Sequence, residues 1–115
     1  MRETARKGDT TVREISKADA GTELNVSIGE TLELRLAENP TTGYRWQLRS
    51  SGDPVLKFVE QSFAPSGLAV GAGGTRRWIF RAVLVGLSRL ELEQRRSWER
   101  QTIDTFNITI RVAAQ

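Results

Sequence analysis

Cysteine and histidine are both absent from this 115-residue chain, and lysine occurs only at Lys7, Lys17 and Lys57. Without cysteine there is no disulfide, and no thiol usage from which to read a redox compartment. Without either residue there is no thiolate–imidazole zinc site, no cysteine nucleophile and no Ser-His-Asp triad. No side chain titrates near neutrality unless its pKa is strongly perturbed. Paired carboxylates or a desolvated lysine are the options left for acid–base and nucleophilic chemistry. The composition therefore argues against an enzyme, and it calls for no cofactor and no metal. There is also no apolar run of about eighteen residues or more, so no membrane-spanning helix is expected. The first twenty residues are polar and lack the apolar middle region of a signal peptide. The expectation is a cytoplasmic protein, or a periplasmic or secreted one if an export signal has been removed.

What is present is ordinary in amount and informative in order. Hydrophobic residues make up 38% and charged residues 27%, values near those of globular domains, and the length suits one domain. The net charge of +3 is carried mostly by arginine. However, Glu23, Glu30, Glu33, Glu91 and Glu93 alternate with apolar residues, and there is no dense basic run. That pattern is a solvated sheet face, and it does not favour nucleic acid as a partner.

From residue 23 onward the hydrophobic period is two. Leu24, Val26 and Ile28 share one face, as do Leu32, Leu34 and Leu36. Trp46 and Leu48 follow, then an irregular run over residues 55–63. Trp78, Phe80, Ala82 and Leu84 alternate next, then Leu90 and Leu92, and finally Phe106, Ile108, Ile110 and Val112. Period-two runs separated by turn residues every ten or so positions predict a sandwich or barrel. The expected fold is all-β, an immunoglobulin-like antiparallel β-sandwich of about seven to eight strands without a disulfide. Residues 1–21, low in apolar content, read as a flexible arm, and residues 22–115 as a single domain expected to be monomeric.

In an up-and-down path every second connection emerges at the same end. Residues 39–44, 64–74 and 94–101 would then cluster at one end. Turns at Gly29-Glu30, residues 50–54 and residues 85–88 would lie at the other. Each loop alone has a plainer explanation. Asn39-Pro40 with Gly43 can simply make a turn. The run Gly71-Ala72-Gly73-Gly74 can be a loose link, since no Lys and helix follow it as in a phosphate loop. Trp98 can fold back on the core. Yet a lone Trp among Arg95, Arg96, Glu99 and Arg100 is the composition of an interface anchor. Three such loops together point to a binding face. A sandwich that binds carbohydrate or protein through Tyr44, Trp98 and nearby arginines is one reading of that face. Binding of single-stranded nucleic acid through Arg45, Arg76, Arg77, Arg95 and Arg96 is a weaker one.

The three stretches "NPTTGYRW", "GAGG" and "RRSWE", in this order and at these intervals, resemble the chagasin family of inhibitors of papain-like cysteine peptidases. The similarity runs from about Glu23 to Val112. The family usually has Arg-Pro before the aromatic residue of the third motif, and Ser97 stands here in place of that proline. The resemblance implies an immunoglobulin-like sandwich acting as a reversible, noncovalent wedge against papain-like peptidases of cathepsin L type or similar. It implies that Asn39, Pro40, Thr41, Thr42, Gly43 and Tyr44 enter the active-site cleft, with Thr41 and Thr42 nearest the catalytic centre. It places Leu68, Ala69, Val70, Gly71, Ala72, Gly73 and Gly74 along the nonprimed side, paired with enzyme backbone. Arg96 and Trp98 would reach the primed side. With Ser97 in place of proline, the third loop is expected to be freer and its contribution smaller.

Overall fold

Strands form where the apolar residues alternate, because a pleated chain puts every second side chain on the same face. The computed structural model describes residues 12–67 and 71–114. Its strands are β1 (Val12–Ile15), β2 (Glu23–Ser27), β3 (Thr31–Glu38), β4 (Tyr44–Ser51), β5 (Leu56–Pro65), β6 (Gly74–Ala82), β7 (Gly86–Arg96) and β8 (Asp104–Ala113). They make two four-stranded sheets, in the orders β1-β3-β6-β5 and β2-β8-β7-β4. Short 3-10 turns at Lys17–Asp19 and Pro40–Thr42 are the only helical pieces among the described residues.

The predicted inward faces form the core. Leu32, Leu34, Leu36, Trp78, Phe80 and Ala82 pack from one sheet against Val26, Trp46, Leu90, Leu92, Phe106, Ile108, Ile110 and Val112 from the other. Ile15 and Leu56 complete a cluster of sixteen buried apolar side chains. Burying one Leu-sized side chain is worth about 1.5–3 kcal/mol, as much as a typical disulfide contributes. A core of this size accounts for a sandwich that holds without one.

Three expectations are corrected. The arm does not extend to residue 21: Val12–Ile15 pairs with β3 and Ile15 is 2% exposed in the core. Four residues with apolar ends and no alternation gave no period to read, and residues 1–11 lie outside the described residues. The sandwich is not wholly antiparallel, since β1 runs parallel to β3 and β2 parallel to β8. Leu84 does not continue the inward face of β6, because the strand stops at Ala82 and Leu84 is half exposed.

The path is also not up-and-down within a sheet. Residues 16–22, 28–30, 39–43, 52–55 and 83–85 cross between sheets, while β5–β6 and β7–β8 are hairpins. Because each connection still reverses the chain, alternate connections share an end. Residues 39–43, 66–67, 71–73 and 97–103 lie at one, and residues 28–30, 52–55 and 83–85 at the other. The first set of loops is shorter than expected at its margins, since β5, β6 and β7 run on through Pro65, from Gly74 and through Arg96.

Candidate functional site at one end of the sandwich

The first loop is built by its own sequence. Asn39 caps the 3-10 turn Pro40–Thr42, its Oδ1 accepting from the Thr41 N–H at 3.1 Å. Pro40 fits the first position of the turn, where no N–H is needed. Gly43, at φ +83°, ends the turn in the left-handed region that glycine enters without strain, and its N–H donates to Pro40 O at 3.0 Å. Both threonine hydroxyls are exposed and both donate inward. Thr41 Oγ1 donates to Asn39 Oδ1 at 2.7 Å and Thr42 Oγ1 to Asn39 O at 2.8 Å, while Thr42 Oγ1 also accepts from the Tyr44 N–H at 3.2 Å. With their protons committed, the hydroxyls face outward as acceptors.

Side chains stitch the other two loops to this one. Asn39 Nδ2 donates to Gly71 O at 3.0 Å. Ser66 N–H donates to Gly73 O at 2.9 Å and closes the second loop at its base. A Cβ on Gly74 would collide with the Ala64 carbonyl, and Gly74 itself is buried in the β5–β6 ladder. Gly74 therefore permits close strand approach and is not on the surface where the resemblance placed it. Gly71 and Ala72 are exposed, and Gly73 is half-buried. Leu68, Ala69 and Val70 lie outside the described residues.

The third loop opens with a turn in which the Glu99 N–H donates to Arg96 O at 3.1 Å. Ser97 occupies the second position of that turn, one that proline suits. Arg95 Nη1 holds the turn from beneath, donating to Glu99 O at 2.8 Å. Arg96 spans two loops: its Nε donates to Thr42 O at 2.9 Å and its guanidinium lies 4.2 Å from the Tyr44 ring centre. The same guanidinium lies 5.9 Å from the Trp98 ring. It acts as a clasp as much as a contact group. Trp98 is 70% exposed, so it does not fold back on the core. One edge of its indole lies over Gly43, where a Cβ would come within 2.7 Å of Cη2.

The sequence reading overlooked the pair beneath these loops. The Glu38 carboxylate is wholly buried and accepts from the Trp46 N–H at 2.8 Å. It also accepts from Arg76 Nε at 2.9 Å and Nη2 at 2.8 Å. Glu38 precedes the first loop, Trp46 follows it, and Arg76 stands two residues beyond the second. One carboxylate thus joins three loop roots. The signal was there: Glu38 continues the inward series Leu32, Leu34, Leu36, and Arg76 precedes Trp78 and Phe80 in the same register. A charge at an inward position implies a partner.

Among the described residues no group of three or more acidic side chains is placed to hold a metal ion, and no helix is long and apolar enough to cross a membrane. The fold is a two-sheet β-sandwich whose loops at one end are tied to one another by side chains. The family model described as Chagasin family peptidase inhibitor I42 matches residues 25–110, and the chain belongs to that family. Chagasin of Trypanosoma cruzi is 29% identical over 105 residues, covering 87% of this chain and 96% of that protein. The crystal structure of the cysteine protease inhibitor EhICP2 from Entamoeba histolytica superposes with a TM-score of 0.82 at 16% identity, covering 90% of this chain and 97% of the other. PbICP-C, solved in complex with falcipain-2, has a TM-score of 0.56 at 17% identity and covers 95% and 93%. These two structures speak to the fold.

Proposed function

We propose that this chain is a reversible, noncovalent inhibitor of papain-like cysteine peptidases, filling the active-site cleft with the three loops described above. The observation that carries this reading is the stitching of those loops to one another by Asn39 and Arg96. A wedge held rigid before binding loses little conformational entropy when it docks. The family to which the chain belongs agrees with this role.

The chemistry of the first loop explains why such a wedge is not cleaved. A cysteine peptidase attacks the carbonyl of an extended substrate. Asn39 O and Pro40 O are instead bound to the N–H groups of Thr42 and Gly43, at 3.1 and 3.0 Å, within a tight turn. The loop offers hydroxyl acceptors to the donors of the catalytic centre in place of a scissile bond. The exposed backbone at Gly71 and Ala72 suits strand addition along the cleft. Trp98 supplies an apolar anchor at the far side.

Titration of papain with the intact chain, followed with a fluorogenic peptide, tests this. The expected result is competitive inhibition that reverses on dilution, with the chain recovered uncleaved. No inhibition at micromolar protein overturns it.

A further inference from the structure

Among the described residues away from the three loops, most basic side chains are compensated in place, Lys57 and Arg81 on the β5–β6 ladder being exposed and without a carboxylate within 4.0 Å. Arg13, Lys17, Arg35, Arg49, Arg77, Arg89 and Arg111 each lie within 4.0 Å of a carboxylate. The loop end differs. Residues 38–45, 71–76 and 94–103 contain five arginines and only two glutamates, Glu38 and Glu99. Glu38 is used up by Arg76, and Glu99 faces Arg96 at 3.5 Å. Arg95 is held by Glu93 at 3.5 Å and by the carbonyls of Arg96 and Glu99. Among the described residues, exposed Arg45 and Arg100 have no carboxylate within salt-bridge distance.

Arg45 is also badly placed for stability. It stands directly opposite Arg95 in the β4–β7 pair, as Lys57 stands opposite Arg81 in β5–β6, and like charges facing across strands repel; what sets Arg45 apart is what lies beside it. Beside it a recess of about 530 Å3 opens between the first and third loops, lined by Pro40, Thr42, Arg45, Gln47, Ser97 and Trp98. An unpaired cation kept against repulsion, next to an open recess and a bare indole, is a prepared seat for an anionic side chain.

We propose that Arg45, in this recess, receives a carboxylate from the wall of the target enzyme beside its cleft. The chain is therefore selective for peptidases with an acidic wall. Arg100 adds to the same field. Complementary charge of this kind acts chiefly on the association rate and on partner choice. The inference rests on the inhibitory role proposed above and assigns to Arg45 the choice among targets.

The test compares the chain with Arg45→Glu and Arg45→Lys against a papain-like peptidase bearing wall carboxylates, and against the same enzyme with those carboxylates changed to amides. Relief of the Arg45–Arg95 repulsion should leave Arg45→Glu with an unchanged or higher Tm. Its association rate on the acidic enzyme should fall by about tenfold at low salt and converge with that of the parent at high salt. Arg45→Lys should retain most of the parent rate, and the difference between parent and Arg45→Glu should vanish on the amide enzyme. If the parent inhibits strongly and Arg45→Glu matches it at every salt concentration, the assignment of Arg45 is overturned while the inhibitory role stands. If the parent inhibits neither enzyme, the inhibitory role falls and this inference with it.

Discussion

At the end of the sandwich that carries residues 28–30, 52–55 and 83–85, backbone bonds to backbone. The Gly29 N–H donates to Ala82 O at 2.8 Å, the Ala82 N–H to Glu30 O at 2.9 Å, and the Val83 N–H to Val55 O at 3.0 Å. These connections are tied to one another and to the strand ends through their own main chain. At the opposite end the loops are joined by side chains, through Asn39 to Gly71 and Arg96 to Thr42, and Arg95 braces the third loop through Glu99. Side-chain stitching fixes loop shape while it leaves backbone and hydroxyl acceptors facing outward.

The comparison is broken most severely at its buried carboxylate. Glu38→Ala strands Arg76 beneath the loops and should cost about 3 kcal/mol in chemical denaturation. Glu91→Ala removes a pair at 2.8 Å with Arg89 on a half-exposed surface, and should cost less than about 1 kcal/mol. Equal losses would mean that Glu38 is not the root of the loop end. Trp98→Ala acts on binding alone. It should leave the unfolding midpoint unchanged and weaken inhibition by about 2 kcal/mol, roughly thirtyfold in the inhibition constant.

A glycine exchange at each end sharpens the contrast with the smallest effects. Gly43 and Gly29 both have positive φ, at +83° and +97°. Alanine at either should cost about 1 kcal/mol of backbone strain. A Cβ on Gly29 meets nothing within 4 Å, whereas one on Gly43 meets Trp98. Gly43→Ala should therefore lower inhibition several-fold and Gly29→Ala should not, although thermal unfolding registers both.

How much of this could be read from the sequence follows from what period two reveals. Leu32, Leu34, Leu36, Trp78, Phe80 and the β8 series announced their burial, and with it the two-sheet core. The clustering of three loops followed from counting chain reversals, and it survived even though the path crosses between sheets. Strand β1 was illegible because four residues carry no period and its parallel partner is distant in sequence. Glu38 and Arg76 were readable as charges on inward faces, but Glu38 went unassigned and Arg76 was counted among the arginines of the nucleic-acid reading. The roles of Arg96 as clasp and Gly74 as strand contact could not be read at all. They depend on which backbone atoms stand opposite, and no residue type declares that.

The central claim is that the loop end, and not the turn end or a sheet edge, meets the peptidase. Amide hydrogen exchange of the chain, alone and bound to an active-site-blocked papain-like peptidase, tests it most directly. New protection is expected only at residues 39–44, 71–73 and 96–98, with residues 28–30, 52–55 and 83–85 unchanged. Protection at the turn end, or along β5 without the loops, would contradict it.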